Sequence, residues 1–268
     1  MKIISWKNFL KGAVEKNTPS AATIGVFDGV HKGHLFLLKK ILSKDEVFKP
    51  VVFTFSTNPA RILDPREYPG DITNNRQKFD LFSNMGIKTT VLIDFSANFS
   101  KLSGRDFLSK ISDMLQLRCM ILGSDFRCGY RADTNAEAVA GILSGVKTEI
   151  LEPVDMGGEK ISSTRIRNEV LRGNFKLVAE MLGRNYQIDL TCIKKGGMLK
   201  RDLSDGDLVE CSLEDFREKI SNVFPECGVY PVELLNSSNS FHTKIHIDSV
   251  NIRWKQPNGF IYEIIKFE

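Results

Sequence analysis

Apolar residues follow one rhythm up to residue 186 and another after it. In the first part, short runs rich in Val, Ile and Phe occupy 21–26, 51–55, 89–93, 119–122 and 146–151, with helical spacing between most of them. Runs of that length read as buried strands, and apolar positions recurring every three or four residues read as helix. Leu35, Leu37, Leu38, Ile41 and Leu42 place a helix directly after the first run. A second helix over 74–85 repeats Phe79, Leu81 and Phe82 and stops at Gly86, a third over 106–117 follows Ser103, and a fourth over 135–143 precedes Gly145. Alternating strand and helix requires crossover connections, which predict an α/β fold with a mostly parallel, helix-covered sheet.

After Tyr186 the runs at 228–235, 241–247, 250–254 and 260–267 are short and alternate, as antiparallel strands do. Asn236-Ser237-Ser238-Asn239 reads as a turn, and Asn258-Gly259 is a strong hairpin signal. One helix, over 213–223 behind Ser212, interrupts these strands. The chain thus divides into 1–186 and a small β-rich domain at 187–268, with no internal repeat and no low-complexity segment.

Charge sharpens this division. The net +4 comprises 27 Lys and Arg against 20 Asp and Glu in 1–186, and 10 against 13 in the remainder. A mildly positive first part suits small anionic substrates, although a solvated surface has the same signature. Nucleic acid is not expected, since no dense basic run or RNP-like aromatic motif appears. Five cysteines without a CxxC pair, and no apolar stretch suited to export, predict reduced thiols and a cytoplasmic address. No segment approaches the length of a bilayer span, so no membrane association is expected.

The richest chemistry lies in Gly25-Val26-Phe27-Asp28-Gly29-Val30-His31-Lys32-Gly33-His34, between the first strand and its helix. A turn there offers backbone N–H groups and a helix dipole to an anion. Glycines allow close approach of a ligand, and His31 and His34 present ring donors on one side of the helix. Local chemistry alone is divided evenly between a phosphate site and histidines that merely cap the helix. Ser162-Ser163-Thr164-Arg165-Ile166-Arg167 gathers hydroxyl and guanidinium groups around a second helix start; alone it favours a helix cap at Ser163 or Thr164, and paired with the first turn it is a candidate second half of a triphosphate clamp. Gly123-Ser124-Asp125-Phe126-Arg127-Cys128-Gly129 and Thr54-Phe55-Ser56-Thr57-Asn58-Pro59 follow two other strands, where open sheets meet ligands; ordinary turns are the competing reading.

Taken in order, these segments over 20–186 resemble the bacterial FAD synthetase family, in which an FMN adenylyltransferase domain is usually joined to a riboflavin kinase domain. The first motif resembles the family's nucleotidyltransferase signature, Ser162 to Arg167 its second signature, and Leu182-Gly183-Arg184-Asn185-Tyr186 the segment that closes the domain. The resemblance implies a Rossmann-like first domain, a barrel-like second one, and ATP plus FMN giving FAD plus pyrophosphate, with magnesium accompanying ATP. It assigns His31, His34 and Arg167 to catalysis. Gly25, Phe27, Asp28, Gly33, Lys160, Ser163 and Thr164 fall to ATP, and Asn58, Pro59, Asp125, Phe126 and Arg127 to FMN.

Two departures touch the flavin side: Asn58 stands where the family most often has histidine, and Cys128 where an aromatic residue is common. No cluster of His, Cys and carboxylates has transition-metal spacing, and no metal ligands are named. The kinase's Gly-x-Pro-Thr-Ala-Asn motif has no counterpart in 187–202, where Gly196-Gly197 is followed by neither proline nor asparagine. Riboflavin kinase activity is therefore not expected, although Gly228-Val229-Tyr230 resembles a strand of that kinase's barrel. Two other functions compete: a nucleotidyltransferase acting on another phosphorylated acceptor, and a non-catalytic sensor of flavin or nucleotide.

Overall fold

The structure, a computed structural model, describes residues 1–14, 18–96, 98–191, 200–202, 208–257 and 260–268. Asn258-Gly259 and Gly196-Gly197 lie outside the described residues. Contacts divide the chain into two compact units, Met1–Tyr68 with Lys78–Ile161, and Pro69–Gln77 with Ser162–Glu268.

In the first unit, β1 (Lys2–Ser5) and α1 (Trp6–Phe9) precede β2 (Pro19–Ile24), α2 (Lys32–Leu42), β3 (Lys49–Phe55), α3 (Pro59–Leu63) and α4 (Asn75–Asn84), whose residues from Lys78 onward belong here. Then come β4 (Thr89–Ile93), α5 (Gly104–Met114), β5 (Gln116–Gly123), the short strands β6 (Arg127–Cys128) and β7 (Thr134–Asn135), α6 (Ala136–Ile142), β8 (Lys147–Leu151) and the hairpin β9 (Asp155–Met156) and β10 (Glu159–Lys160). Six strands form one parallel sheet in the order β1-β4-β3-β2-β5-β8. This is the α/β, helix-covered parallel sheet that the alternating pattern predicts, in the Rossmann-like form that the family resemblance implies.

Side chains alternate across the pleat, so each central strand feeds two cores. Val51 and Phe53 face one core with Phe9, Phe107, Leu108 and Ile111 from α1 and α5, while Val52 faces the other with Leu38, Ile41 and Phe82 from α2 and α4. One helix start follows the cap read from sequence, Ser103 accepting from the Asp106 N–H at 3.1 Å; Asn135, predicted as the first residue of its helix, is instead its cap, accepting from the Ala138 N–H at 3.1 Å. The helix predicted to run to 117 ends at Met114, because Gln116 and Leu117 pair with β2 as the start of β5. Pairing with a central strand outweighs the local helical spacing.

The second unit contains α7 (Ser163–Leu171), α8 (Phe175–Leu182), β11 (Gln187–Asp189), β12 (Lys200–Asp202), β13 (Leu208–Ser212), α9 (Leu213–Lys219), β14 (Gly228–Leu235), β15 (Ser240–Ile247), β16 (Asn251–Lys255) and β17 (Ile264–Phe267). Seven strands make an antiparallel, half-barrel sheet in the order β11-β17-β14-β15-β16-β13-β12. The turn at Asn236 forms as read, its Oδ1 accepting from the Ser238 and Asn239 N–H groups. The last strand is shorter than the predicted 260–267, and α9 is shorter than 213–223.

The units divide after Ile161, whereas the sequence reading divides the chain after Tyr186. The apolar face of α8 accounts for this difference. Phe175 stacks on Phe267 at 4.2 Å and meets Tyr186 and Tyr230, and the Tyr186 hydroxyl donates to the Val223 carbonyl at 2.7 Å. Residues 69–77 join the same unit through Asp71, whose N–H donates to the Ser221 carbonyl while its carbonyl accepts from the Val223 N–H. Among the described residues no helix is long and apolar enough to cross a membrane.

Candidate active site

Strand order reverses at β2: the chain leaves it for β3 on one side and later returns to β5 on the other. Open α/β sheets bind ligands at the carboxyl ends of strands at such a switch point, and the glycine- and histidine-rich turn leaves β2 there. Phe27 (φ 52°), Gly29 (φ 80°) and Val30 (φ 41°) all have left-handed backbone. For Phe and Val this costs on the order of 1–3 kcal/mol each. Burial offsets it, because Val30 is fully buried and the Phe27 ring packs edge-on against Phe82 at 5.6 Å and His34 at 5.2 Å. Asp28 is buried within the same turn.

His31 is the N-cap of α2, its Nδ1 accepting from the His34 N–H at 3.4 Å. An accepting nitrogen carries no proton, so a neutral His31 ring holds its proton on Nε2. The two imidazoles are stacked, with centroids 3.7 Å apart and planes at 19°. Glycine at 33 makes room for this arrangement, since a Cβ there would lie 3.2 Å from His31 Nδ1. Burial, then the neighbouring His31 and Lys78, hold the His34 pKa well below its ordinary value. His34 is therefore neutral at pH 7, and its buried Nδ1 has no hydrogen-bond partner among the described residues.

A cavity of about 670 Å³ opens beside the turn, a volume in the range of small-molecule sites. Gly25, Phe27 and His34 form one side. Phe55, Phe95 and Phe99, an aromatic triangle with centroids 6.0–6.1 Å apart, form another. Pro59 from the start of α3, Asp125 and Phe126 from the loop after β5, and Arg127 from β6 line it as well. Cys128 also lines it, and burial followed by Asp133 pushes its thiol up to about 12. It is thus a neutral, apolar-like wall residue.

Other expected site residues are engaged elsewhere. Asn58 caps α3, its Oδ1 accepting from the Ala60 N–H at 3.1 Å, and it is not part of the cavity lining. Lys160, at the end of β10, pairs with Asp125 at 3.1 Å, so residues expected on different substrates meet each other; half-exposed pairs of this kind contribute little stability. In the second unit, Ser162 is the N-cap of α7, accepting from the Arg165 N–H at 3.2 Å. Ser163 and Thr164 occupy the first helical turn instead, and Arg167 Nε donates to the Gly70 carbonyl at 2.9 Å. No group of three or more His, Cys, Asp or Glu among the described residues is placed to hold a metal ion.

Sequence reasoning did not single out Phe95, Phe99 or Lys78. The phenylalanines sit in a connection with no helical or strand period. Lys78 lies four residues before Phe82 on α4, and that spacing, which puts it on the buried face, is its sequence trace.

Comparison with known proteins bears on this geometry. The model of the FAD synthetase family matches residues 13–165. The chain is 32% identical over 193 residues to the bifunctional riboflavin kinase/FMN adenylyltransferase of Buchnera aphidicola subsp. Acyrthosiphon pisum, covering 70% of this chain and 61% of that one. It is 27% identical over 218 residues to the protein of that name from Escherichia coli K12, covering 80% and 67%. The chain thus spans about three fifths of the length of the first of these relatives. A solved Streptococcus pneumoniae structure described as a macrolide-efflux protein shares the fold over 100% of this chain and 89% of its own, with a TM-score of 0.81 and 22% identity. Because the family match extends over more than half of the chain and contains the whole β2 turn and cavity, this chain belongs to the FAD synthetase family.

Proposed function

We propose that the chain is an FMN adenylyltransferase, transferring AMP from ATP to FMN to give FAD and pyrophosphate. The observation that carries this reading is the strained turn with its stacked histidines, which opens on an aromatic cavity at the switch point of the sheet. The turn suits phosphate and the aromatic walls suit a planar ring. The names of the relatives support the choice of flavin.

In the proposed reaction an FMN phosphate oxygen attacks the α-phosphorus of ATP. A new P–O bond forms, the bond from the α-phosphorus to the bridging oxygen breaks, and pyrophosphate leaves with that electron pair. The attacking oxygen is already anionic, so no general base is required. Catalysis rests on alignment and on stabilising charge that spreads over the phosphoryl oxygens. His31, through Nε2, and neutral His34 donate to those oxygens, with Gly25, Phe27, Asp28 and Gly33 shaping the ATP side. Ser163, Thr164 and Arg167 are assigned to the β- and γ-phosphates on their motif, with Lys160 adding charge. Pro59, Asp125, Phe126 and Arg127 are assigned to FMN, and Asn58 joins them on the motif alone. Magnesium would accompany ATP as the Mg–ATP substrate and would supply charge neutralisation at the phosphates, a role that asks little of protein ligands.

We assign 1–186 to adenylyl transfer and 187–268 to a degenerate kinase-like domain without riboflavin kinase activity. The missing threonine–asparagine motif supports this. The described cysteines, 119, 128, 211 and 227, are all free thiols, which supports a cytoplasmic address. Incubating the protein with Mg–ATP and either FMN or riboflavin, then separating the products, tests the whole reading. FAD and pyrophosphate from FMN are expected, with riboflavin unchanged. No FAD above a protein-free control rejects the function in favour of another acceptor or a sensor, and FMN from riboflavin rejects the loss of the kinase.

A further inference from the structure

β2 and β3 part beyond the bond from the Gly25 N–H to the Phe53 carbonyl, 3.1 Å long. The carbonyls of Val26 and Phe55 flank the fork. Lys78 fills it from α4, its Nζ donating to the Phe55 carbonyl at 2.9 Å and the Val26 carbonyl at 3.5 Å. The residue is only 5% exposed. Burying an ammonium is costly unless its hydrogens are satisfied, so its position asks for a reason.

The Val26 carbonyl supplies one, because it also accepts from the Thr54 hydroxyl at 3.0 Å. Two donors converge on a peptide plane whose N–H belongs to Phe27, the first left-handed residue of the turn. A peptide group is rigid, so holding its carbonyl fixes its N–H and the direction in which the chain departs. Strained backbone of this kind persists only where its surroundings over-determine it. Here α4 acts twice, through Lys78 on the carbonyl and through Phe82 against the Phe27 ring.

We propose that Lys78 is a positioning residue for adenylyl transfer: it holds the turn 25–31 in the shape that presents its N–H groups and both histidines to phosphate, without itself touching substrate. This rests on the function proposed above. The ammonium's proximity to His34 also disfavours a second positive charge on that ring.

Lys78→Met removes the charge and the donors while keeping an unbranched apolar stem. The expected result is a fall of about a hundredfold in kcat, the scale of a 1 Å misplacement, with little change in KM for ATP. Amide hydrogen exchange is expected to rise across 25–31 while β4 stays protected. Thr54→Val, which removes only the second donor, is expected to give the same pattern at smaller amplitude, and it decides the matter if Lys78→Met does not fold. A folded Lys78→Met protein with unchanged kcat, a loss confined to KM, or unchanged exchange across 25–31 in the folded variants overturns the assignment. Exchange needs no substrate, so a wild-type protein that makes no FAD defeats the adenylyl-transfer reading separately from the hold of Lys78 on the turn.

Discussion

Replacing His31 separates two roles that the structure combines in one ring. Nδ1 caps α2 through the His34 N–H, and a neutral ring's remaining proton on Nε2 is the proposed phosphate donor. His31→Ala removes both. Loss of an N-cap costs about 0.5–2 kcal/mol of stability, and a bond as long as 3.4 Å argues for the lower part of that range. Loss of a donor to developing charge costs about 2.7–4 kcal/mol in the barrier, or about 10²–10³ in kcat. His31→Asn keeps a good capping oxygen but withdraws the ring donor. Urea denaturation should therefore place the Asn variant close to wild type and the Ala variant about 1 kcal/mol below it, while both lose kcat alike in an FAD-formation assay. FMN affinity by calorimetry should barely move in either. Wild-type turnover in His31→Asn would refute the donor role and leave His31 a cap; equal stability losses in the two variants would refute the capping argument.

Gly33→Ala adds a Cβ 3.2 Å from His31 Nδ1; kcat should fall while stability is held or raised by alanine's helix propensity, about 1 kcal/mol over glycine, as read by paired kinetic and thermal measurements. Because the His34 pKa is lowered in the folded protein, the unfolded chain takes up the proton first on acidification. Stability should therefore be full above the unfolded value of 6.5 and decline as pH falls below it towards the lowered folded value, with a slope of up to about 1.4 kcal/mol per pH unit. His34→Asn should flatten that part of the curve in urea melts taken from pH 7.5 to 5, and an unchanged slope would count against the assignment. Arg167→Ala should weaken ATP more than FMN in calorimetric titrations, with an added stability loss from the bond to the Gly70 carbonyl. Iodoacetamide at pH 8 should label exposed Cys227 and spare Cys128, whose thiol is raised to about 12; mass spectrometry showing the reverse order would contradict that burial.

Local patterning was sufficient for much of the fold. Every strand of the parallel sheet except β1 appears as a short apolar run, and Ser103 and Ser212 each cap the helix they precede. These features are legible because period and capping act over a few neighbouring residues. The order of motifs likewise carried the family, since a phosphate turn behind a buried strand is a local arrangement.

Other features depended on residues far apart in the chain. Gln116 and Leu117 continue a helical spacing, yet pair with β2 as strand, because a central partner outweighs local preference. Lys78 reads as an ordinary helix lysine until β2 and β3 diverge and present two carbonyls to it. Lys160 and Asp125, 35 positions apart, become a pair only through the β10 hairpin and the loop after β5. Phe55, Phe95 and Phe99 make one wall only when the ends of β3 and β4 lie side by side. Sequence alone determined the elements and the chemical groups they carry. Tertiary structure decided which groups share a cavity and which are occupied with one another, because long-range packing sets those distances and local propensity has no hold on them.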